Sequence, residues 1–209
     1  MISALARASA IDLTAARPGR ADPARPSRRR ERAWVRAAQS GSHEAMEALF
    51  RAHWGPAHRA AFLIVHDAAA AEDIAQEAFL AAIRALDRFD RRRPFGPWLH
   101  RIVVNRAIDW SRARTLRREV AEPVEGEAPP ERPTGWSDEV VSALAALDPD
   151  QRAAVVLRHL LEYTPGEIAD LLDVPRGTIN SRLRRALDRL AVELEPENAP
   201  EEPTSEARP

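Results

Sequence analysis

The residues of this chain with the clearest chemistry are a group of arginines, hydroxyls and one amide near its carboxyl end. Arginine reads guanine edges with two parallel hydrogen bonds, asparagine does the same for adenine, and hydroxyls and further arginines hold phosphates. These side chains alternate with leucine and isoleucine at helical spacing, so they share the outer face of one helix. The set predicts a surface that reads duplex DNA, and it comprises Arg176, Thr178, Asn180, Ser181, Arg182, Arg184 and Arg185.

Two short helices joined by a tight turn, over residues 163–190, must position this surface. Thr164 followed three residues later by Glu167 predicts a capping box at the start of the first helix. Pro175 marks the start of the second helix, which carries the arginines. The pattern is typical of a helix-turn-helix, in which the second helix enters the major groove. On periodicity alone, the alternative is an amphipathic surface helix with an arginine-rich solvent face.

Composition limits the kinds of function. The 209 residues carry 44% hydrophobic and 30% charged residues, which suits one or two small domains. There is no cysteine, and the six histidines lack the spacing of metal ligands, so we expect no metal, no cofactor and no thiol chemistry. Acidic residues and His100 form no triad spacing, and no glycine-rich phosphate loop occurs, so we expect no enzyme.

We expect a cytoplasmic protein. The longest apolar run, 60–65, is far shorter than the roughly twenty residues of a membrane span. Residues 1–30 lack the continuous apolar segment of a secretory signal.

Proline and charge density divide the chain into five segments. Helical periodicity occupies two of them and no strand pattern appears, so we predict an all-α fold of two small helical domains. The first segment is rich in arginine, so an alternative is that it contacts DNA phosphates. The predicted segments are a disordered arm over 1–38, a helical domain over 39–114, a flexible linker over 115–136, a helical domain over 137–194 and a disordered acidic tail over 195–209.

The first domain carries two further groups of polar residues. Asp73, Gln76 and Glu77 cluster on one helix. Either the carboxylates are there because they interact favourably with the positive end of the helix dipole, or the group forms a docking face for a basic partner helix. Residues 91–114 then interleave arginines, aromatics and amides. Arginine neutralises phosphate and rings stack on unpaired bases, so this segment predicts binding of a single nucleic-acid strand. The alternative is that its aromatics belong to the core.

Read in order, these segments resemble the extracytoplasmic-function (ECF) sigma factors of the sigma-70 family of bacterial RNA polymerase. DIAQEAFLAAIRALDRFD and FGPWLHRIVVNRAIDWSR are similar to sigma region 2, and LDPDQRAAVVLRHLLEYTPGEIADLLDVPRGTINSRLRRALDRL is similar to region 4. The resemblance implies a dissociable initiation subunit that binds core polymerase at its clamp helices and flap. It also implies binding of promoter DNA, with −35 duplex readout and −10 melting, and control by an anti-sigma factor.

The resemblance assigns roles to residues of this chain. Core polymerase binding falls on Asp73, Gln76, Glu77 and Leu80. Binding of −10 DNA falls on Arg91, Arg92, Arg93, Phe95, Trp98, Arg101, Asn105, Asp109 and Arg112. Binding of −35 DNA falls on the outward set of residues 176–185 described above.

The main alternative is a helix-turn-helix transcriptional regulator that acts without core polymerase. A response regulator of this kind would need a doubly wound receiver domain with alternating strands. Residues 40–114 have no strand pattern, which favours the sigma factor.

Overall fold

A computed structural model describes residues 26–120 and 137–194, and the regular elements of these stretches are helices. The predicted all-α class is confirmed. A 3₁₀ turn, Leu86–Arg88, follows the third helix, and a π-helical turn, Val156–Leu160, continues the sixth. The α-helices are α1 Arg28–Gln39, α2 His43–Val65, α3 Ala68–Ala85, α4 Phe95–Val120, α5 Asp138–Ala145, α6 Pro149–Val155, α7 Pro165–Leu172 and α8 Arg176–Glu193.

The first domain consists of α1 to α4, with α2 at its centre. Its helices begin where polar side chains accept orphan backbone N–H groups, as Ser42 does for Ala45 at the start of α2. The carboxyl half of α2 is apolar on all sides, and Phe62, Leu63 and Ile64 are at most 1% exposed. Such a helix must be covered all round. α1, α3 and α4 cover α2 together with elements of the second domain.

The first helix is a departure from the sequence-based prediction. The predicted disordered arm over 1–38 is wrong from Arg28 onward, because α1 begins there, capped by Ser27. Val35 and Ala38 are buried and belong to the core. This short apolar stripe is easily lost among the arginines of the sequence. Residues 1–25 of the predicted arm lie outside the described residues.

The linker prediction also needs one correction. α4 continues to Val120, so the first six residues of the predicted linker over 115–136 are helical. The remainder of that segment, 121–136, lies outside the described residues, as does the predicted acidic tail over 195–209.

The second domain consists of α5 to α8 and contains the predicted helix-turn-helix. The capping box at the start of α7 is confirmed: the Thr164 hydroxyl accepts the Glu167 N–H, and the Glu167 carboxylate accepts the Thr164 N–H. Asp173 ends α7 in the left-handed conformation, with φ 56°. α8 follows at Arg176, and its apolar side is buried against α6 and α7. Local sequence signals therefore set the geometry of the motif.

The two domains share one continuous core in this structure, and a buried arginine links them. The Arg152 guanidinium of α6 donates to the carbonyl of Ile64 at the end of α2. It also donates to three carbonyls at the end of α5, those of Leu144, Ala145 and Leu147, at 2.8–2.9 Å. Burial lowers the pKa of Arg152 to about 10, an effect that Asp148 opposes, so the group stays charged at neutral pH.

Candidate nucleic-acid and partner interface

The predicted docking residues lie together on the exposed side of α3. Asp73, Gln76, Glu77 and Leu80 are all exposed, at the spacing of one helical face. Asp67 caps α3, which begins at Ala68, so this acidic group starts beyond the first turn. The helix dipole acts within that turn and does not account for the group. Glu77 accepts a hydrogen bond from Arg106 of α4 at 2.8 Å, which holds its carboxylate at the surface.

Apolar residues that the sequence-based prediction missed border this acidic face. Ile83 is 46% exposed, Phe50 of α2 is 41% exposed and Leu80 is 51% exposed. Ile83 and Phe50 line an apolar groove together with Met46 and Phe79. Exposed large apolar residues beside charged ones are typical of protein-binding surfaces. The signal in the sequence is the spacing of Ile83, three residues after Leu80.

The arginine-rich loop and the start of α4 form the next part of the candidate site. Arg91, Arg92 and Arg93 are exposed, and the Asp90 carboxylate fixes the turn by accepting the Arg92 N–H at 2.9 Å. Trp98 is half-buried and packs on Phe89 with ring centroids 4.5 Å apart. Part of this ring is therefore covered by the core.

Phe95 does not belong to the exposed surface. It is 4% exposed and packs against His53, Phe89 and Trp98. The predicted DNA contact by the Phe95 side chain is therefore unsupported in this arrangement, and its place in the core explains the aromatic character of the position.

A buried contact between a carboxylate and an imidazole positions the beginning of α4. Glu31 of α1 accepts the backbone N–H of Phe95 at 3.3 Å, and its other oxygen lies 2.9 Å from Nε2 of His53. Burial raises the pKa of Glu31, but bonding to His53 and to the N–H groups of Phe95 and Gly96 outweighs it, so the pKa is lowered. A Cβ on Gly96 would lie 3.2 Å from the His53 ring, so the close approach favours glycine.

The rest of the predicted −10 surface runs along α4. Asn105, Asp109 and Arg112 lie on one exposed side of the helix, and Arg101 is partly exposed. The predicted −35 surface on α8 is graded in exposure. Its exposed members are Arg176, Asn180, Arg184 and Arg185, and its half-buried members are Thr178, Ser181 and Arg182.

One carboxylate joins these two surfaces, and the sequence-based prediction missed it. Asp150 of α6 accepts two short hydrogen bonds from Nη2 of Arg112, at 2.7 and 2.9 Å. The same carboxylate lies 2.8 Å from Nη2 of Arg182. Nearby, the His100 ring and the Tyr163 hydroxyl, both buried, lie 2.7 Å apart across the domain boundary. Nothing local in the sequence indicates these contacts between residues far apart in the chain.

No helix in residues 26–120 or 137–194 is both long enough and apolar enough to span a bilayer. The same two stretches contain no group of three acidic or histidine side chains arranged to hold a metal ion.

Each of the two domains matches a known protein family. The family "Sigma-70 region 2" matches residues 49–117, and the family "Sigma-70, region 4" matches residues 137–190. The ECF RNA polymerase sigma factor SigM of Mycobacterium tuberculosis is 36% identical over 155 residues, covering 73% of this chain and 78% of the relative. The ECF RNA polymerase sigma factor SigW of Bacillus subtilis is 32% identical over 146 residues, covering 62% and 76%.

Solved structures share the fold. CnrH, in complex with the cytosolic domain of CnrY, is 29% identical, with a TM-score of 0.61 over 78% of this chain and 96% of that one. The sigma factor RpoE in complex with the anti-sigma factor NepR, from Bartonella quintana, has a TM-score of 0.60 over 71% and 95%, at 24% identity. With both sigma regions present in order, and with relatives matched over most of their length, this chain belongs to the ECF sigma factors of the sigma-70 family.

Proposed function

We propose that this sigma factor binds core RNA polymerase through α3 and directs initiation at promoters through α4 and α8. The observation that carries the proposal is the exposed face of α3, where acidic side chains adjoin Leu80 and Ile83. A regulator that acts without polymerase has no need of such a face. The chain itself catalyses no reaction in this scheme, because it supplies binding and positioning to the polymerase.

The clamp contact combines charge with apolar burial. Asp73 and Glu77 meet the basic coiled coil of the largest polymerase subunit, and complementary charge steers the encounter. Leu80, and the neighbouring Ile83, then bury apolar surface at the centre of the interface, where most binding free energy arises. The flap of the polymerase binds the second domain.

Recognition of the −10 element uses the loop and the exposed side of α4. Arg91, Arg92 and Arg93 neutralise phosphates, while Asn105 hydrogen-bonds a base that has left the stack. Arg101, Asp109 and Arg112 extend this surface along the helix. Trp98 offers the exposed part of its ring for stacking, although that ring already packs on Phe89.

Recognition of the −35 element uses α8 in the major groove. Its exposed residues Arg176, Asn180 and Arg184 are suited to base edges or phosphates. Ser181 supports the helix internally, since its hydroxyl donates to the Thr178 carbonyl at 2.8 Å. Arg182 and Arg185 complete the proposed surface.

Binding both elements at once requires the two domains to separate. The element positions differ by about 25 base pairs, which is about 85 Å of B-DNA at 3.4 Å per base pair. In the described arrangement, Arg112 and Arg182 bind the same carboxylate of Asp150. The closed form therefore precedes promoter binding, and the bonds of Asp150 and of Arg152 to the first domain must break on opening.

An anti-sigma protein is the third partner in the proposal. CnrH, which shares this fold at 29% identity, is solved with the cytosolic domain of another protein, CnrY. A protein partner of that kind would keep the factor from the polymerase. Because polymerase and promoters lie in the bacterial cytoplasm, the factor acts there, at the nucleoid when part of holoenzyme.

Transcription in vitro tests the proposal. Purified core polymerase and a promoter library should yield specific transcripts only when this chain is added. A regulator that acts alone would instead bind promoter DNA without core polymerase and leave core unable to initiate.

A charge reversal identifies the docking face. Glu77→Arg should weaken core binding by more than ~1 kcal/mol, about fivefold or more, because a surface pair rarely exceeds that value and this reversal also adds repulsion. Glu47→Arg is the matched control, since Glu47 is also exposed and bridges an arginine, Arg51. Equal core affinity of the two variants would exclude the α3 face.

A further inference from the structure

Helix α1 carries a dense positive charge to which the proposed function gives no role. It contains five arginines, Arg28, Arg29, Arg30, Arg32 and Arg36, and all five are exposed. Its only acidic residue, Glu31, is 8% exposed and faces inward to His53. The matched family region begins at residue 49, beyond the end of α1. The outer side of α1 is therefore purely cationic.

Three sets of contacts make α1 continuous with the arginine-rich loop. Arg32 donates from Nη2 to the Arg92 carbonyl at 3.2 Å, in the middle of the loop. Gln39, at the other end of α1, donates to the carbonyls of Leu86 and Phe89 at 2.9 and 3.0 Å. Glu31 bonds the N–H of Phe95, where the loop ends. α1 thus holds the loop along its length.

The joined surface concentrates charge that the whole chain lacks. α1 and residues 86–94 together have nine arginines and three acids, a net charge of +6, while the chain as a whole has −1. The four arginines of residues 86–94 are all exposed. Charge concentrated in this way attracts a polyanion, whatever the net charge of the protein.

We propose that α1 is a DNA-backbone surface that binds phosphates next to the −10 element and so extends the −10 site. The inference rests on the proposed function of the loop. Twelve helical residues are about 18 Å long, which matches about five base pairs of DNA. Arg29, Arg32 and Arg36 are spaced by three and four residues and so form one stripe along the helix.

The individual arginines divide by their contacts. Arg32 is bonded to the loop, and the Arg30 guanidinium lies 4.9 Å from the Trp34 ring centroid. Arg28 is close enough to the Glu167 carboxylate of α7 to interact with its charge, so Arg29 and Arg36 are left to bind phosphate. The exposed residues of α1 include no apolar side chain larger than alanine. A protein interface needs buried apolar anchors at its centre, so this surface fits phosphate and not a protein partner.

Salt dependence of promoter binding by the holoenzyme tests the inference. Each phosphate contact contributes about 0.9 to the slope of log affinity against log salt on duplex DNA. Arg29→Ala with Arg36→Ala should lower that slope by about one to two and weaken binding to all promoter sequences alike. Arg29→Lys with Arg36→Lys should restore most of the slope, since lysine keeps the charge.

The matched control removes two exposed arginines elsewhere, Arg51→Ala with Arg189→Ala, and should leave the slope unchanged. An equal slope for the α1 variant and this control would overturn the inference. So would a loss of core affinity without a loss of DNA affinity, which would mean that α1 contacts a protein. Wild-type holoenzyme is measured alongside: if it forms no promoter complex, the proposed function itself fails, whereas failure of the α1 variant pair alone leaves that function intact.

Discussion

The two domains differ sharply in charge although both are proposed to bind DNA. The first domain, 28–120, has eighteen arginines and eleven acids, a net charge of +7. The second, 137–194, has seven arginines and ten acids, a net charge of −3. Nonspecific attraction to DNA grows with the number of phosphates neutralised. General affinity for DNA therefore resides in the first domain, and the second contributes selective contacts from one helix.

This division explains why the second domain depends on the first. A small module of net negative charge gains little from the polyanion field and has only its recognition helix to hold it. Joined to a domain that is already on the promoter, it binds at high effective concentration and needs less affinity of its own. The same difference in charge favours the closed structure, since the acidic domain packs on the basic one. The following predictions test this contrast, from the largest expected effect to the smallest.

The largest effect is expected where a buried arginine joins the two domains. Arg152→Met removes a donor from four backbone carbonyls, and each buried acceptor left unsatisfied costs about 1–3 kcal/mol. The carbonyls of Ile64 and Leu144 keep a second donor, the Ser111 hydroxyl and the Leu147 N–H, so the loss falls mainly on Ala145 and Leu147. We expect the free energy of unfolding to fall by about 3 kcal/mol or more, measured by urea denaturation. Arg158→Met is the control, because exposed Arg158 makes a single 3.3 Å bond to the Tyr163 carbonyl. Equal stability of the two variants would refute the joint core.

The second prediction concerns the selective contacts of α8. Arg176→Ala in the holoenzyme should weaken −35 binding by roughly 1–3 kcal/mol and relax preference at one base pair, if the guanidinium reads a base. Affinity across a set of single-base promoter variants measures this. Arg189→Ala, on the same helix but outside the predicted reading set, should change little. A loss that is uniform across sequences, with a flatter salt slope, would assign Arg176 to phosphate instead.

The third prediction concerns the carboxylate that the two domains share. Asp150→Asn removes the charge that binds Arg112 across the domain boundary, so the closed form should lose about 1 kcal/mol, the scale of partly exposed ion pairs. Free chain should then open more often and bind promoter DNA several-fold better. Fluorescence energy transfer between single cysteines introduced at Glu44 and Glu193 measures opening, helped by a chain with no native cysteine.

Asp170→Asn is its control, because Asp170 is an exposed carboxylate of the same domain. The two variants change the net charge equally. If both variants open the domains alike, the effect comes from general electrostatics, and a specific role of Asp150 in holding the two domains together is excluded.

The smallest effect is expected from acid titration of the first domain. The pKa of Glu31 is lowered below its ordinary value of 4.5, so its ionised form stabilises the folded state above that pH. This contribution should be lost as the pH falls below about 4.5 and through the folded pKa. Measured by urea denaturation from pH 6 to pH 3, the free energy of unfolding of wild type should therefore approach that of Glu31→Gln as the pH falls. A difference between the two that persists unchanged down to pH 3 would contradict this contribution of the Glu31 carboxylate.

The sequence was sufficient for features that depend on neighbours in the chain. The capping box of Thr164 and Glu167 and the start of α8 after Pro175 were predicted because both follow from backbone groups within one turn. The family regions were recognised for the same reason, since their motifs are contiguous. Helix α1 was missed because its apolar stripe is short and its arginines resemble those of a disordered arm.

Contacts between distant residues were beyond local patterns. Arg152 appears as one more charged residue of an amphipathic helix, yet it bonds Ile64, 88 positions away. Phe95 was assigned to DNA by motif, but its burial depends on how α1 and α2 pack around it. The roles of the −35 and docking residues remain predictions that Arg176→Ala and Glu77→Arg test, and the roles of the −10 residues remain predictions.

The shared carboxylate of Asp150 has a further consequence for cooperativity between the two promoter elements. Because opening breaks the bond between Arg112 and Asp150 and so separates the two surfaces, a ligand that favours the open form at one surface raises the affinity of the other. Such coupling is reciprocal: the −35 element assists −10 binding by the same factor as the −10 element assists −35 binding. When a DNA fragment carries only one element, binding of that element alone must supply the free energy of opening. On a promoter with both elements, binding of the two together supplies it. The factor would thereby respond to the pair of elements more steeply than to the sum of the two.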